Sequence, residues 1–491
     1  MQGMLRELKY GLWLLIATMG CLCLCAQEES VTNPAAGKEE LTDYSKPLTP
    51  APDDRLFVVK NIFVEGNKRT KTNVVLRELF FKPGDAMLLQ DLVRRFEGSR
   101  QQLMNTALFH EVVVALKSFN GYDVDIIIVV KERWYIFPVP YFKPVDRNLN
   151  QWLVEQKASL SRVNYGLKLI HNNTTGNNDK LRLWLIHGYT RQLTLSYDRP
   201  NIDKKMRWGV ITFFTTGKNR EINYNTIDDK QAFLKDDKLY LRKFTSANAE
   251  FYYRPKIRTR HRFGIGLTSE SIADTVLALN PNYFTENKKS VSYPELYYGL
   301  NYYNLDYIPY PTRGYAAEFL LSKKGINKAM NLWQFSVKGS ANYPLGRKTF
   351  VNFNGFATIK LPFDQPYFNR KLLGYSDIFM QGYEYYVIDG MAGGYLKASL
   401  GQKLFNFDFG IPGTRRVVPR RVPFNIYARI YGNTGYIYNK YPGLNDLTNK
   451  MLFSGGIGLD IVTIYDFTFK FEWSFNQLGQ NGIYLHRRSL F

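Results

Sequence analysis

The stretch Phe467-Thr-Phe-Lys-Phe-Glu-Trp-Ser-Phe-Asn476 alternates strictly between aromatic and polar residues. In a β-strand, such a period of two places the aromatic side chains on one face and the polar side chains on the other. Similar alternation recurs from about residue 160 to the end of the chain. A soluble sandwich would rarely leave so many aromatic residues on one face, whereas a membrane barrel needs an apolar exterior and a wet lumen. The pattern therefore predicts a transmembrane β-barrel.

Sixteen strands can be placed between residues 135 and 491 on this pattern, and bacterial barrels have an even number of antiparallel strands. If the chain enters from the periplasm, alternate connections lie outside the cell, where loops are longer. On this count the long connections 218–237, 272–292, 361–393 and 433–451 all fall outside. We therefore expect residues 134–491 to form a barrel of sixteen antiparallel strands.

The N-terminal segment is predicted to be an export signal. Residues 1–26 combine two basic residues with an apolar stretch and end in Cys21-Leu-Cys-Leu-Cys-Ala26, which is the layout of a secretory signal peptide. We expect cleavage after Ala26, and a lipid anchor at Cys21 is the alternative. All three cysteines lie in this segment, so the mature protein would have no thiol and no disulfide. Residues 27–55 are polar and proline-containing, and we expect a flexible linker there.

The formal net charge of +22 raises the question of nucleic-acid binding. However, the cationic residues are scattered through loops and turns, as in Arg415-Arg416 and Arg420-Arg421. Scattered charge of this kind favours solubility and attraction to anionic lipid head groups. We therefore expect membrane lipids, and no nucleic acid, among the partners.

A compact α+β unit is predicted in front of the barrel, over residues 56–133. A strand over Phe57–Glu65 ends in the turn residues Gly66-Asn67, and two helical patterns follow at 70–79 and 88–104. Two further strands, 110–117 and 123–132, are joined by Asn120-Gly121. The predicted order is β-α-α-β-β.

This order, with Val64-Glu-Gly-Asn67 at the end of the first strand and Leu108-Phe109 before the second, resembles a POTRA domain. POTRA domains lie in front of the barrels of the BamA/TamA outer-membrane assembly superfamily. The resemblance implies a protein of the outer membrane of a Gram-negative-type bacterium, with its POTRA domain in the periplasm. It also implies unfolded client proteins as partners, together with lipopolysaccharide and accessory lipoproteins.

The outside connection 361–393 carries a candidate latch. The superfamily has a loop at this place that folds back into the barrel, where an arginine at its tip meets an aspartate of the wall. Here Gln381 and Asn433 occupy the two positions, in Met380–Glu384 and Tyr431–Gly435. Losing one charge of a buried pair costs several kcal/mol, whereas two amides can exchange hydrogen bonds. The alternative is that both are ordinary loop and strand-end residues. The predicted latch comprises Gln381, Gly382, Tyr383, Asn433 and Gly435.

The resemblance also implies a weak seam between the first and last strands, through which client strands enter the membrane. Pro138 and Pro140 fall in the predicted first strand, where each removes a backbone donor. The terminal Phe491 matches the aromatic C-terminus common to outer-membrane barrels. We assign these three residues to the seam, and the alternative is that the prolines lie in a linker ahead of the barrel.

The sequence contains no Gly-x-Ser-x-Gly elbow, no His-Glu-x-x-His and no phosphate-binding glycine loop. We therefore predict no enzymatic activity, no cofactor and no metal site. The resemblance implies an assembly or translocation factor, in which the POTRA domain receives an unfolded client and the barrel inserts or exports it. Two alternatives stay open, namely a passive, porin-like channel and a secretion translocator dedicated to one client.

Overall fold

The computed structural model describes residues 55–144, 163–200, 202, 203, 205–375, 377–410, 421–463 and 467–486. The predicted signal peptide, the alternative lipid anchor at Cys21, nearly all of the predicted linker and the terminal Phe491 lie outside these residues. Those assignments therefore stay predictions.

The N-terminal domain is a mixed sheet packed against helices. Its elements are β1 (Phe57–Glu65), α1 (Thr72–Leu76), β2 (Ala86–Met87), α2 (Leu89–Asn105), β3 (Phe109–Asn120) and β4 (Asp123–Glu132). The sheet order is β2-β1-β4-β3, and β1 runs parallel to β4. Leu92 and Leu103 of α2 are fully buried against Val124 and Ile126 of β4, and burial of each such side chain stabilises the fold by roughly 2 kcal/mol. The predicted order is confirmed, with the two-residue strand β2 added.

Sixteen further strands form one antiparallel sheet in which neighbours follow chain order. They are β5 (Ile136–Pro144), β6 (Val163–Asn172), β7 (Lys180–Gly188), β8 (Thr190–Arg199), β9 (Trp208–Asn219), β12 (Arg242–Lys256), β13 (Thr259–Ile272), β14 (Ser290–Leu305), β15 (Gly314–Asn327), β16 (Met330–Pro344), β17 (Thr349–Leu361), β20 (Ala392–Gly410), β21 (Arg421–Tyr438), β22 (Met451–Val462), β23 (Thr468–Asn476) and β24 (Asn481–His486). Two small hairpins lie outside this sheet: β10–β11 (Glu221–Ile227, Lys230–Lys235) and β18–β19 (Lys371–Leu373, Ile388–Asp389). The predicted barrel of sixteen strands is confirmed.

The two faces of β23 show how the barrel meets its surroundings. Phe471, Trp473 and Phe475 point outward and are 41–45% exposed, whereas Glu472 and Ser474 between them are at most 1% exposed. A soluble protein would bury the aromatic face and expose the polar one. An apolar exterior around a polar interior is the distribution that lipid requires.

The two ends of the barrel differ. The β6–β7 turn hydrogen-bonds to the N-terminal domain, and Arg258 in the β12–β13 turn lies over the ring of Phe80 in that domain. Because the strands alternate in direction, the long connections after β9, β13, β17 and β21 lie at the opposite end. These connections contain α3 (Asp274–Leu279), a 3-10 turn (Thr285–Asn287) and α4 (Tyr367–Arg370). Within the described ranges, no helix has both the length and the apolar character needed to span a bilayer.

Candidate functional site

The connection between β17 and β20, hereafter the lumen loop (362–391), packs against the barrel wall. Met380 and Tyr383 of the loop are buried to within 2% exposure, in a cluster with Tyr395 of β20 and Leu452 of β22. A connection that stayed above the barrel mouth would leave these side chains in water. The lumen loop therefore folds back inside the barrel, as the resemblance implied.

The tip of the lumen loop is a tight turn at Gly382, whose φ is +88°. The Gly382 N–H donates to Glu384 Oε2 (2.8 Å), and its carbonyl oxygen accepts a hydrogen bond from Asn476 Nδ2 of β23 (2.7 Å). A Cβ at this position would lie 2.8 Å from the Phe475 carbonyl oxygen and 2.9 Å from Ser454 Cβ. Only glycine allows the tip to approach the wall this closely.

Two further predicted latch residues lie at the same contact. The Tyr383 hydroxyl donates to the Phe453 carbonyl oxygen of β22 (3.1 Å). Gly435 of β21 lies next to Met380 of the loop, since a Cβ on Gly435 would be 3.4 Å from Met380 Sδ. The loop tip is therefore held against three neighbouring strands, β21, β22 and β23.

Gln381 has a different partner from the predicted one. Its Nε2 donates to Glu472 Oε1 of β23 at 3.4 Å, whereas Asn433 Nδ2 donates to Ser454 Oγ at 3.1 Å. Among the described residues, no hydrogen bond joins Gln381 to Asn433. A carboxylate is a stronger acceptor than a neutral amide, and Asn433 already faces Ser454 in the β21–β22 ladder. The predicted hydrogen bond between Gln381 and Asn433 is therefore not formed, and Gln381 pairs instead with Glu472 on β23, two strands from β21.

A buried ionic network supports this part of the wall. Arg429 of β21 donates from Nε to Asp460 Oδ2 (2.6 Å) and from Nη2 to Asp460 Oδ1 (3.0 Å) and Glu472 Oε1 (2.5 Å). The Tyr310 hydroxyl also donates to Asp460 Oδ2 (2.8 Å). The three charged residues are at most 5% exposed. Glu472 therefore joins the wall network to Gln381 of the loop.

Sequence reasoning missed this network. Arg429, Asp460 and Glu472 occupy inward positions on β21, β22 and β23, so the alternation alone marked each of them as lumen-facing. Their grouping depends on strand register, which aligns Arg429 with Gly458 and Gly458 with Glu472. Unlike charges at inward positions of consecutive strands are the signal that could have found them.

The lumen loop also contacts the last strand, β24. His486 Nδ1 hydrogen-bonds Glu472 Oε2 (2.6 Å), its Nε2 is 3.7 Å from Glu384 Oε1 of the loop, and its ring stacks on Phe379 at 4.8 Å between centroids. The Tyr386 hydroxyl donates to Gln480 Oε1, just before β24 (2.9 Å). The loop thus holds the strand that borders the predicted seam.

Both predicted seam prolines lie in the first barrel strand. Pro138 pairs with Leu169 and Pro140 with Leu167 of β6, so the alternative placement in a linker does not hold. In the described part of the chain, no backbone pairing joins β5 to β24. Phe491, the third residue assigned to the seam, lies outside the described residues.

Strand geometry shows which edge the prolines affect. The Asn172 N–H donates to the Tyr135 carbonyl oxygen (2.8 Å), which makes these positions a hydrogen-bonded pair. Bonded and non-bonded pairs alternate along an antiparallel ladder, and the β5–β6 register is unbroken. Pro138, Pro140 and Pro144 therefore take positions whose backbone groups point away from β6. The edge that a closed barrel presents to its last strand lacks three N–H donors.

A second buried ion pair joins the N-terminal domain to the barrel. Arg254, at the end of β12, donates from Nη1 and Nη2 to the two carboxylate oxygens of Glu78 (2.5 and 2.8 Å), and Gln102 Nε2 donates to Glu78 as well (3.0 Å). Burial alone would raise the pKa of Glu78, but the Arg254 charge and these hydrogen bonds lower it below its usual value. Glu78 is therefore held as a carboxylate at neutral pH.

The β6–β7 turn gives the domain a second attachment. Asn173 Nδ2 donates to Thr70 Oγ1 (2.9 Å), and the Lys71 N–H donates to the Gly176 carbonyl oxygen (3.0 Å). Two separate barrel turns are thus bonded to the domain.

Within the described ranges, no group of three or more His, Asp or Glu side chains is placed to hold a metal ion.

Comparison with known protein families assigns the chain. Residues 173–387 match the Omp85 superfamily domain, and residues 57–133 match the POTRA domain described as a surface antigen variable number repeat. The chain belongs to the Omp85 superfamily. The predicted resemblance is therefore confirmed, and this Omp85 protein resides in the outer membrane with its POTRA domain in the periplasm. Members of the superfamily insert proteins into the outer membrane or translocate them across it.

Several solved structures are similar to this Omp85 protein. BamA from Haemophilus ducreyi lacking POTRA domains 1–3 has a TM-score of 0.49 and 17% identity, with 88% of this chain and 83% of that chain covered. CdiB from Acinetobacter baumannii has a TM-score of 0.48 and 12% identity, covering 87% and 72%. CdiB from Escherichia coli has a TM-score of 0.46 and 12% identity, covering 91% of each. No curated protein sequence matches the chain.

Proposed function

We propose that this Omp85 protein receives unfolded outer-membrane proteins at its POTRA domain and inserts them into the membrane at the seam between β5 and β24. The observation that carries the proposal is the edge of β5 that faces away from β6, where Pro138, Pro140 and Pro144 remove three donors. An edge with so few donors pairs weakly with the last strand. A client strand can therefore compete for the opposite edge, on β24.

The lumen loop supports a gated seam rather than an open pore. Two residues near its tip contact His486 of β24: the Glu384 carboxylate lies near the imidazole, and the Phe379 ring stacks on it. Movement of the tip would release β24 from the inside, and retention of the tip would hold it. The loop also occupies part of the lumen, which disfavours the passive, porin-like channel.

The POTRA domain supplies a site for extended client segments. Strand β3 is an edge of its sheet, since in the described residues it pairs with β4 alone. Its last four residues, Lys117–Asn120, are exposed. An exposed edge can accept a client strand by backbone hydrogen bonds, which tolerate many side chains. Lipids, lipopolysaccharide and accessory lipoproteins complete the proposed partners, and a secretion translocator dedicated to one client is the alternative function.

Client folding in liposomes tests the proposal. A urea-unfolded outer-membrane barrel is added to vesicles with the purified protein, and its protease-resistant folded form is followed in time. The seam variant is Pro138→Val with Pro140→Val, which restores two donors to the edge of β5 that faces away from β6. The matched control is Pro294→Val, because Pro294 is also outward-facing and lies in β14, within the wall.

If clients insert at the seam, the wild-type protein should make the client fold faster than it does in empty vesicles. The double variant should lose this acceleration, and Pro294→Val should keep it. Equal acceleration by all three proteins would contradict the seam assignment. If client folding is not accelerated and the vesicles conduct ions steadily, the result would favour a channel. If client folding is not accelerated and the vesicles conduct no ions, the result would favour the dedicated translocator.

A further inference from the structure

A cavity of about 220 Å³ lies between the lumen loop and the inner wall of the barrel. Strands β14 to β17 form one side of it, and the loop segment around α4 and β18 forms the other. A water molecule's share of liquid volume is about 30 Å³. The cavity therefore has room for a small ion together with several waters.

The lining of the cavity is cationic. Lys324, Lys360 and Lys371 contribute to it, and its described lining residues include no Asp or Glu. Lys360 is 6% exposed, and its Nζ donates to the carbonyl oxygens of Asn369 (2.9 Å) and Lys371 (2.7 Å). Lys371 Nζ lies 5.3 Å from the ring centroid of Tyr367. Two of the three ammonium groups are thus contacted by neutral groups.

Acidic residues near the cavity are engaged elsewhere. Lys324 has Glu295 at 3.7 Å, whereas Lys360 and Lys371 have no carboxylate within 4.0 Å among the described residues. The buried Asp389, opposite Lys371 in the β18–β19 pair, attracts both ammonium groups from a greater distance and accepts a hydrogen bond from the Tyr375 hydroxyl. Glu270 is held in a bidentate pair by Arg242 (2.7 and 2.8 Å). Apart from the neutral Arg242–Glu270 pair, the three lysines thus outnumber the carboxylates that act on them, Glu295 and Asp389. An excess of buried positive charge carries a large desolvation cost. A bound anion would offset it.

We propose that this cavity binds a small oxyanion of the phosphate type, held by Lys324, Lys360 and Lys371. Lys371 belongs to the lumen loop, whereas Lys324 and Lys360 belong to strands β15 and β17. The anion therefore joins the loop to the wall and holds it inside the barrel. Its source is either the free ion or the phosphate of a lipid head group, since both present the same oxygens.

Calorimetric titration of the purified protein in maltoside micelles with inorganic phosphate tests the free ion. The proposal predicts saturable binding to one site, weakened about tenfold or more by Lys324→Gln and by Lys371→Gln, because each removes one charge-assisted contact. Lys328→Gln is the matched control, since Lys328 is exposed in the outer β15–β16 turn. Lys324 is itself 29% exposed, so its variant is expected to fold even where Lys371→Gln fails.

A second arm replaces inorganic phosphate with phosphatidic acid in the micelles and follows the thermal unfolding midpoint of the barrel. A rise that Lys324→Gln abolishes and Lys328→Gln retains would assign the site to a lipid head group. The proposal is overturned if neither arm shows saturable binding. It is equally overturned if Lys324→Gln, Lys371→Gln and Lys328→Gln bind phosphate alike.

Discussion

The Arg254 guanidinium of barrel strand β12 grips both carboxylate oxygens of Glu78 in the POTRA domain, at 2.5 and 2.8 Å, although 176 residues separate the two in the chain. The Arg254 and Glu78 side chains are 14% and 6% exposed. A shielded bidentate pair has fixed geometry and is screened little by salt. The Arg254–Glu78 pair therefore fixes the position of the POTRA domain at the periplasmic mouth of the barrel.

Glu78→Gln should loosen this attachment. The substitution leaves Arg254 largely buried without its carboxylate, and the loss of one member of such a pair costs about 3 kcal/mol. Spin labels on Lys68→Cys in the domain and Lys348→Cys on the barrel, both exposed positions, would report the change by pulsed electron resonance. We expect a broader distance distribution in the variant.

Glu97→Gln is the control for that experiment, because Glu97 forms a helix-surface pair with Arg100 in which both side chains are at least 44% exposed. It should leave the distances unchanged. A Glu78→Gln protein with the wild-type distribution would show that the remaining contacts, such as those of the β6–β7 turn and of Arg258 with Phe80, hold the domain without this pair.

The same attachment should depend on pH. Because the folded-state pKa of Glu78 is lowered, its stabilisation is present above the ordinary carboxyl pKa and is lost as the pH falls through the lowered value. The spin-label distances should therefore broaden below about pH 4. The Glu78→Gln protein should already be broad at neutral pH and change less on acidification, whereas parallel responses in both proteins would point to another acidic group.

Gly382→Ala should displace the tip of the lumen loop. A Cβ there would lie 2.8 Å from the Phe475 carbonyl oxygen, and φ is +88°. Gly443→Ala is the matched control, because it has a positive φ of +64° but no atom within 4 Å of the added Cβ. In planar bilayers we expect higher conductance for Gly382→Ala only. An equal rise in conductance in the two variants would mean that backbone strain, rather than the wall contact, controls the position of the loop.

Arg429→Met should destabilise the barrel by about 3–5 kcal/mol, because it removes the guanidinium that hydrogen-bonds the buried carboxylates of both Asp460 and Glu472. Heat-modifiable migration on gels after urea incubation would measure the folded fraction. Combining Arg429→Met with Asp460→Asn removes one carboxylate together with the guanidinium, leaves Glu472 with the buried Lys470, and should restore most of the stability. If this double variant is as unstable as the single one, packing of the arginine, and not its charge, is the main contribution.

The alternation of the chain was enough to predict the barrel. In Phe467–Asn476 each residue's face follows from its position alone, so sixteen strands could be placed without knowing any contact. The helical spacing of α2 and the turn at Gly66 likewise made the order of the N-terminal domain readable. These patterns are local, because they depend on neighbours a few residues apart.

Partners across the barrel could not be predicted in this way. That Gln381 meets Glu472 and not Asn433 depends on how far the loop descends and on the register of β21 with β22 and β23. Likewise, the pairing of Arg254 with Glu78 depends on how the domain docks. The face that each strand turns to lipid can be read from the residues alone, because a period of two is a property of the strand. The contacts between inward charges and loop residues follow from the folded barrel, because register and docking bring together groups that are distant in the chain.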